Sequence, residues 1–103
     1  MGELVQVASL AEVPVGRCKQ VDAGGQPIAL FNVGGTIYAT HGLCTHRGGW
    51  LGEGELSGSE VTCPLHGETF EVTTGQVTGP PASQSIPTYK VVIEGQAIKV
   101  EMP

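Results

Sequence analysis

Two short clusters in the middle of the chain hold the residues best suited to chemistry. Cys44-Thr45-His46 comes first, and Cys63-Pro64-Leu65-His66 follows after sixteen intervening residues. Together they take two of the three cysteines and two of the three histidines in 103 residues, which random placement would seldom produce. Thiolates and imidazoles suit zinc, copper or an iron–sulfur cluster. Zinc fingers usually group like with like, a cysteine pair and then a histidine pair. Here each cluster supplies one Cys followed by one His. Two facing loops of that kind set both thiolates on one side and both imidazoles on the other. A two-iron cluster with one sulfur-bound and one nitrogen-bound iron wants that arrangement. A structural zinc module is the alternative that the donors alone leave open.

Those loops need a scaffold, and composition says what kind. Glycine (16) and proline (7) make up 23 of 103 residues, just short of a disordered composition. Leu, Ile, Val and Phe total 26, enough for a core, and 12 of these are Val, which favours strands. The length allows one domain, expected over 1–103. Leu4 to Val7 reads as a first strand. Arg17 to Val21 and Pro27 to Val33 flank the turn Ala23-Gly24-Gly25-Gln26. Gly34-Gly35 turns the chain into Thr36 to Thr40, and Tyr89 to Ile93 and Gln96 to Val100 flank Glu94-Gly95. Ser9 to Glu12 suits one capped helical turn. From Cys44 to Glu71 glycine occurs six times and apolar alternation weakens. The expectation is an all-β base with an irregular inserted lobe at about 42–80.

Charge narrows the partners. A net charge of −5 argues against nucleic acid, which needs clustered Lys and Arg. No apolar run approaches the roughly 18 residues of a membrane span, and the first residues resemble no signal peptide. An odd cysteine count is unlike a secreted disulfide framework, so a reducing, cytoplasmic setting is expected. Between Cys44 and Glu71 stand five acids (Glu53, Glu55, Glu60, Glu68, Glu71) and one base, Arg47. Nearly all the acidity therefore shares a segment with the candidate ligands, which suits steering toward basic partners.

Cys44-x-His46-x16-Cys63-x2-His66 resembles the ligand signature of Rieske [2Fe–2S] proteins. Gly48-Gly49 after the first cluster, Gly67 after the second, Phe70 and the Thr74-Gly75 turn agree with it. Gly79-Pro80-Pro81 stands where that family has a proline loop over the cluster, and the likeness runs from about Leu4 to Val100. It implies an antiparallel β-sandwich or barrel base with a small lobe of two ligand loops. One [2Fe–2S] cluster would be held by Cys44 and Cys63 on the inner iron and by His46 and His66 on the outer.

The family's cytochrome bc branch carries two further cysteines, whose positions here are Gly49 and Leu65. Its Ser and Tyr donors to the cluster sulfurs are replaced by Glu68 and Phe70. The sequence is similar instead to the ferredoxins of bacterial aromatic-ring oxygenases. That implies a one-electron carrier, not an enzyme, expected as a monomer. It would pass electrons from a flavoprotein reductase to a terminal oxygenase at the acidic tip, with a potential near the low end of the Rieske range. A relative of the small subunit of assimilatory nitrite reductase is the alternative. Cys18 is expected as a small buried hydrophobe and His41 as a packing residue. Leu65 is expected to shield the cluster, Trp50 either to shield it or to sit in the core, and Pro80 and Pro81 to form a stiff lid.

Overall fold

The computed structural model describes residues 3–43, 49–65, 67–79 and 84–102. Eleven strands are present among them. They are β1 (Glu3–Ser9), β2 (Cys18–Ala23), β3 (Gln26–Val33), β4 (Thr36–His41), β5 (Glu55–Ser57) and β6 (Glu60–Thr62). Then come β7 (Thr69–Glu71), β8 (Gln76–Gly79), β9 (Thr88–Tyr89), β10 (Val91–Glu94) and β11 (Ala97–Met102). They form three antiparallel sheets, ordered β1-β11-β10, β2-β3-β4-β9 and β5-β6-β7-β8. No helix among the described residues is long and apolar enough to cross a membrane.

Strand β3 explains the layering. Ile28 through Asn32 are all buried, so both faces of the strand are covered. Ile28 and Leu30 enter one core with Ile98, Val100 and Met102. Ala29 and Phe31 enter a second with Leu51, Val61, Phe70 and Val72. The β2-β3-β4-β9 sheet is thus a middle layer, with the β1-β11-β10 sheet on one side and the lobe on the other. Side chains alternate across a strand, which lets one strand serve both cores. Phe31 and Phe70 are fully buried, and each such burial contributes about 1.5–3 kcal/mol.

The glycine turns fall where the sequence places them. Gly24 and Gly25 have φ of +58° and +85°, and Gly34 and Gly35 have +60° and +101°. Two successive positive φ values are what a primed two-residue hairpin turn requires. Asn32 braces the second turn: its Oδ1 accepts the Gly35 N–H at 2.8 Å, while its Nδ2 donates to the Val13 carbonyl at 2.7 Å. Residues Leu10–Glu12 form a single 3-10 turn, with the Glu12 carboxylate accepting the Ser9 N–H at 2.9 Å.

Two expectations need correction. The run expected as one strand from Tyr89 is two: Thr88–Tyr89 pairs with β4, whereas Val91–Glu94 pairs with β11. The chain changes sheets at Lys90. The lobe is also not mainly irregular loop, because it carries its own four-stranded sheet. Three of its strands have only three residues, too few for an apolar alternation to register.

Candidate metal centre

Of the four expected ligands, Cys63 lies among the described residues; Cys44, His46 and His66 lie outside them, as do Arg47, Pro80 and Pro81. Cys63 follows directly on β6, and the loop after it returns to β7, so Thr62 pairs with Thr69 at the loop's base. The Cys63 N–H donates to the Glu68 carbonyl at 2.8 Å, and the Gly67 N–H donates to the Cys63 carbonyl at 3.2 Å. Gly67 has φ of +77°, which only glycine adopts without strain. The thiol is 2% exposed and free, whereas Leu65 at the outer edge of the loop is 57% exposed.

The two ligand loops meet at Gly49. A Cβ there would fall 2.8 Å from Cys63 Sγ and 3.0 Å from Leu65 Cγ. Positions 49 and 65 are therefore neighbours, yet Gly and Leu occupy them and no disulfide can join them. The free thiol of Cys63 is buried close against Gly49, where any side chain would crowd it. With a second Cys and two His in the adjoining sequence, the donor set fits an iron–sulfur cluster. The described residues alone contain no group of three or more potential ligands.

The stem of the first loop is well defined. Leu43 and Trp50 form an antiparallel bridge, and the Leu51 N–H donates to the Gly42 carbonyl at 2.8 Å. Leu51 is fully buried in the core shared with Phe31, while Trp50 is 44% exposed. Two contacts tie this stem to β2: the Gly52 N–H donates to Gln20 Oε1 at 2.8 Å, and Cys18 Sγ donates to the Gly54 carbonyl at 3.2 Å. Burial pushes the Cys18 thiol up, against a smaller opposing effect of the Arg17 charge. Cys18 packs against the core as expected, though it is half-buried. His41 ends β4 and gives its N–H to the Pro87 carbonyl at 2.9 Å, a backbone role.

The acidic lobe is distributed differently from its sequence. Glu68 is wholly buried, so it belongs to no surface patch. The loop geometry explains this: the Glu68 carbonyl closes the Cys63 turn, one residue before a strand whose Phe70 fills the core. Glu53, Glu55 and Glu60 are exposed. Glu53 and Glu55 edge an open groove of about 600 Å³ that also includes Arg17, Thr62, Cys63 and Pro64. Glu71 is occupied internally. Its carboxylate accepts the Thr73 hydroxyl at 2.5 Å and the Ser59 hydroxyl at 2.8 Å, which together hold it below the usual carboxylate range. Sequence reasoning missed Gln20 and the interior place of Glu68. No local sequence signal links Gln20 to a stem 32 residues away.

Residues 3–90 match the Rieske [2Fe-2S] domain. The chain belongs to the Rieske family. It is 41% identical to the ferredoxin component of the naphthalene 1,2-dioxygenase system of Pseudomonas aeruginosa, over 95% of this chain and 94% of that one. The ferredoxin of carbazole 1,9a-dioxygenase from Nocardioides aromaticivorans IC177 has the same fold, with a TM-score of 0.91 and 32% identity over 97% of this chain and 98% of that one. A chain in the complex of reduced oxygenase and oxidized ferredoxin in carbazole 1,9a-dioxygenase matches with a TM-score of 0.88 and 30% identity, covering 95% and 92%. The cofactor of this Rieske chain is one [2Fe–2S] cluster, and its role is to carry electrons rather than to catalyse a reaction.

Proposed function

We propose that this Rieske chain is the ferredoxin of a multicomponent aromatic-ring oxygenase system, taking one electron at a time from a flavoprotein reductase and delivering it to the terminal oxygenase. The observation that carries the reading is the match to such ferredoxins along 94–98% of their own length. Cys44 and Cys63 hold the inner iron and His46 and His66 the outer one, within a single domain spanning 1–103 whose cluster lobe covers about 42–80. The setting is cytoplasmic.

A bound [2Fe–2S] cluster supplies reversible one-electron chemistry; the chain decides where and how easily it is used. Cys63 is buried and the neighbouring Leu65 is exposed, which supports a sulfur-bound iron on the protein side and a partner approaching from outside the loops. Glu53 and Glu55 edge the groove that also holds Arg17 and Cys63; their exposed charge supports reading this side of the lobe as a docking surface for a basic partner. Phe70 offers no hydroxyl to a cluster sulfur. Added negative charge on reduction is then poorly stabilised, and the midpoint lies below about 0 mV.

Electron paramagnetic resonance of the reduced protein tests the ligand set. His46→Ala and His66→Ala should each abolish the Rieske-type signal, and a wild-type spectrum in either variant would remove the assignment. A wild-type midpoint well above about +200 mV would remove the low-potential reading.

A further inference from the structure

Gln20 sits on β2, in register with Ala29 of β3. Its Oε1 accepts the Gly52 N–H at 2.8 Å. Its Nε2 lies against Gly42 so closely that a Cβ there would fall 2.1 Å away. A Cβ on Gly52 would likewise meet Gln20 N at 2.5 Å and its Oε1 at 2.6 Å. Gly42 and Gly52 are the two ends of the segment that carries Cys44 and His46. One side-chain amide therefore touches both ends of the first ligand loop, where Leu51 and Gly42 already close on each other.

The chemistry of the amide sharpens this. Nε2 is buried and has no hydrogen-bond acceptor among the described residues. An unpaired buried donor is costly, and an unbranched apolar side chain of similar length would avoid that cost. What the amide supplies in return is the Gly52 bond and a fixed spacing between two glycine backbones. Cys18 adds a second tie to the same segment through the Gly54 carbonyl, and the Gly54 N–H donates back to Leu51 at 3.0 Å.

We propose that Gln20 is a positioning residue for the iron–sulfur centre, fixing both ends of the segment that carries Cys44 and His46. The proposal rests on the reading that those two residues are ligands. Groups that orient first-coordination ligands commonly change metal retention by about 10–100-fold when removed. The grip acts at the Gly42 and Gly52 ends of the segment.

Two variants of the full chain separate the bond from the packing. Gln20→Met keeps the side-chain length and removes the acceptor, whereas Gln20→Glu keeps an oxygen acceptor for the Gly52 N–H. Cluster loss to an excess of iron chelator, followed by bleaching of the visible absorption, should be about tenfold faster in Gln20→Met and within about threefold of wild type in Gln20→Glu. The g-values of the reduced protein should shift in the Met variant and be restored in the Glu variant. Amide exchange at Gly52 should accelerate in Gln20→Met while exchange at Leu30, in the middle sheet, stays unchanged. A Met variant with wild-type cluster loss and g-values would overturn the proposal, and so would equal losses in both variants. A wild-type chain that takes up no cluster would instead overturn the ligand assignment. Gly52 exchange then decides alone: acceleration confined to the Met variant supports the grip, and equal exchange in all three proteins ends it.

Discussion

The base and the lobe of this molecule solve the problem of holding a chain in place by different means. The base uses length. Strands of six to eight residues alternate their side chains between faces, and β3 feeds two cores at once. The lobe uses contact. Its shorter strands bury less surface per element, and its placement depends on backbone meeting backbone at glycines. A Cβ on Gly52 would lie 2.5 Å from Gln20 N, and one on Gly54 would lie 2.2 Å from the Thr62 carbonyl. In the base the turn glycines Gly24 and Gly34 have nothing within 4 Å of such a Cβ and are needed only for their φ. Glycine in the turns of the base is a conformational device, whereas Gly52 and Gly54 in the lobe are packing devices, although Gly58 and Gly67 there also serve by their positive φ. The region built on close contact is the one proposed to hold the cluster.

The sharpest way to break this comparison is to disturb each region by its own means. Gly54→Ala places a methyl group against the Thr62 carbonyl, which cannot move without shifting β6 and, one residue later, Cys63. Cluster content should fall severely, with overpacking of about 1–3 kcal/mol or more as the cause. Leu30→Ala removes a fully buried side chain from the base core and should cost about 2–5 kcal/mol of stability. The protein that stays folded should still show a wild-type cluster spectrum. Absorbance per protein alongside urea unfolding checks both. Equal loss of cluster in the two variants, at matched fractions folded, would erase the distinction.

The same contrast decides what was legible beforehand. The base could be read from Gly24-Gly25, Gly34-Gly35 and the valines, because long-strand alternation and primed turns are local signals. The ligand loops stood out because Cys and His are scarce elsewhere in the chain. What could not be read was the lobe's sheet, since Glu55–Ser57 and Glu60–Thr62 are shorter than one clear alternation. Nor could the burial of Glu68 be read, because a carboxylate beside a ligand loop looks like surface until the Cys63 turn is known to close over it. Gln20 reached the loop stem across 32 residues, a distance at which no local pattern speaks.

A smaller effect concerns the surface of the lobe. Only Glu53 and Glu55 of the expected patch lie in the groove at Cys63; Glu68 is interior and Glu71 is engaged by hydroxyls. Neutralising both as Glu53→Gln and Glu55→Gln should slow electron delivery to the oxygenase several-fold at low salt. The deficit should shrink as ionic strength shortens the Debye length toward about 8 Å. The midpoint should stay within about tens of millivolts, because both groups are exposed and screened. Neutralising Glu94, on the far hairpin of the base and paired there with Lys99, should leave the transfer rate unchanged. Stopped-flow rates equal in the two cases would remove the groove from the docking surface.

The smallest effect compares two carboxylates that do similar work in the two regions. Glu12 accepts from Ser9 within the base's 3-10 turn, and Glu71 accepts from Ser59 and Thr73, joining two turns of the lobe. In both, hydrogen bonds to the ionised form hold the carboxyl below its ordinary value. A lowered folded value contributes stability that is fully present above the unfolded carboxylate range and is lost as pH falls through the folded value. Glu71→Gln should therefore lower the melting temperature at neutral pH, and the difference from wild type should vanish in strong acid. Glu71 is close to solvent, so the effect is a few tenths of a kcal/mol, or about 2 °C for a domain of this size. Glu12→Gln should show the same pH dependence without altering retention of the cluster, because its bonds stay inside the base. Glu71→Gln should also speed cluster loss slightly, since Glu71 pairs with Glu60 across β6, the strand that leads into Cys63. Thermal scans and chelator challenge from about pH 7 down to pH 3 measure both quantities on each variant. Matching cluster retention in the two would show that the lobe, too, tolerates the loss of a single polar tie.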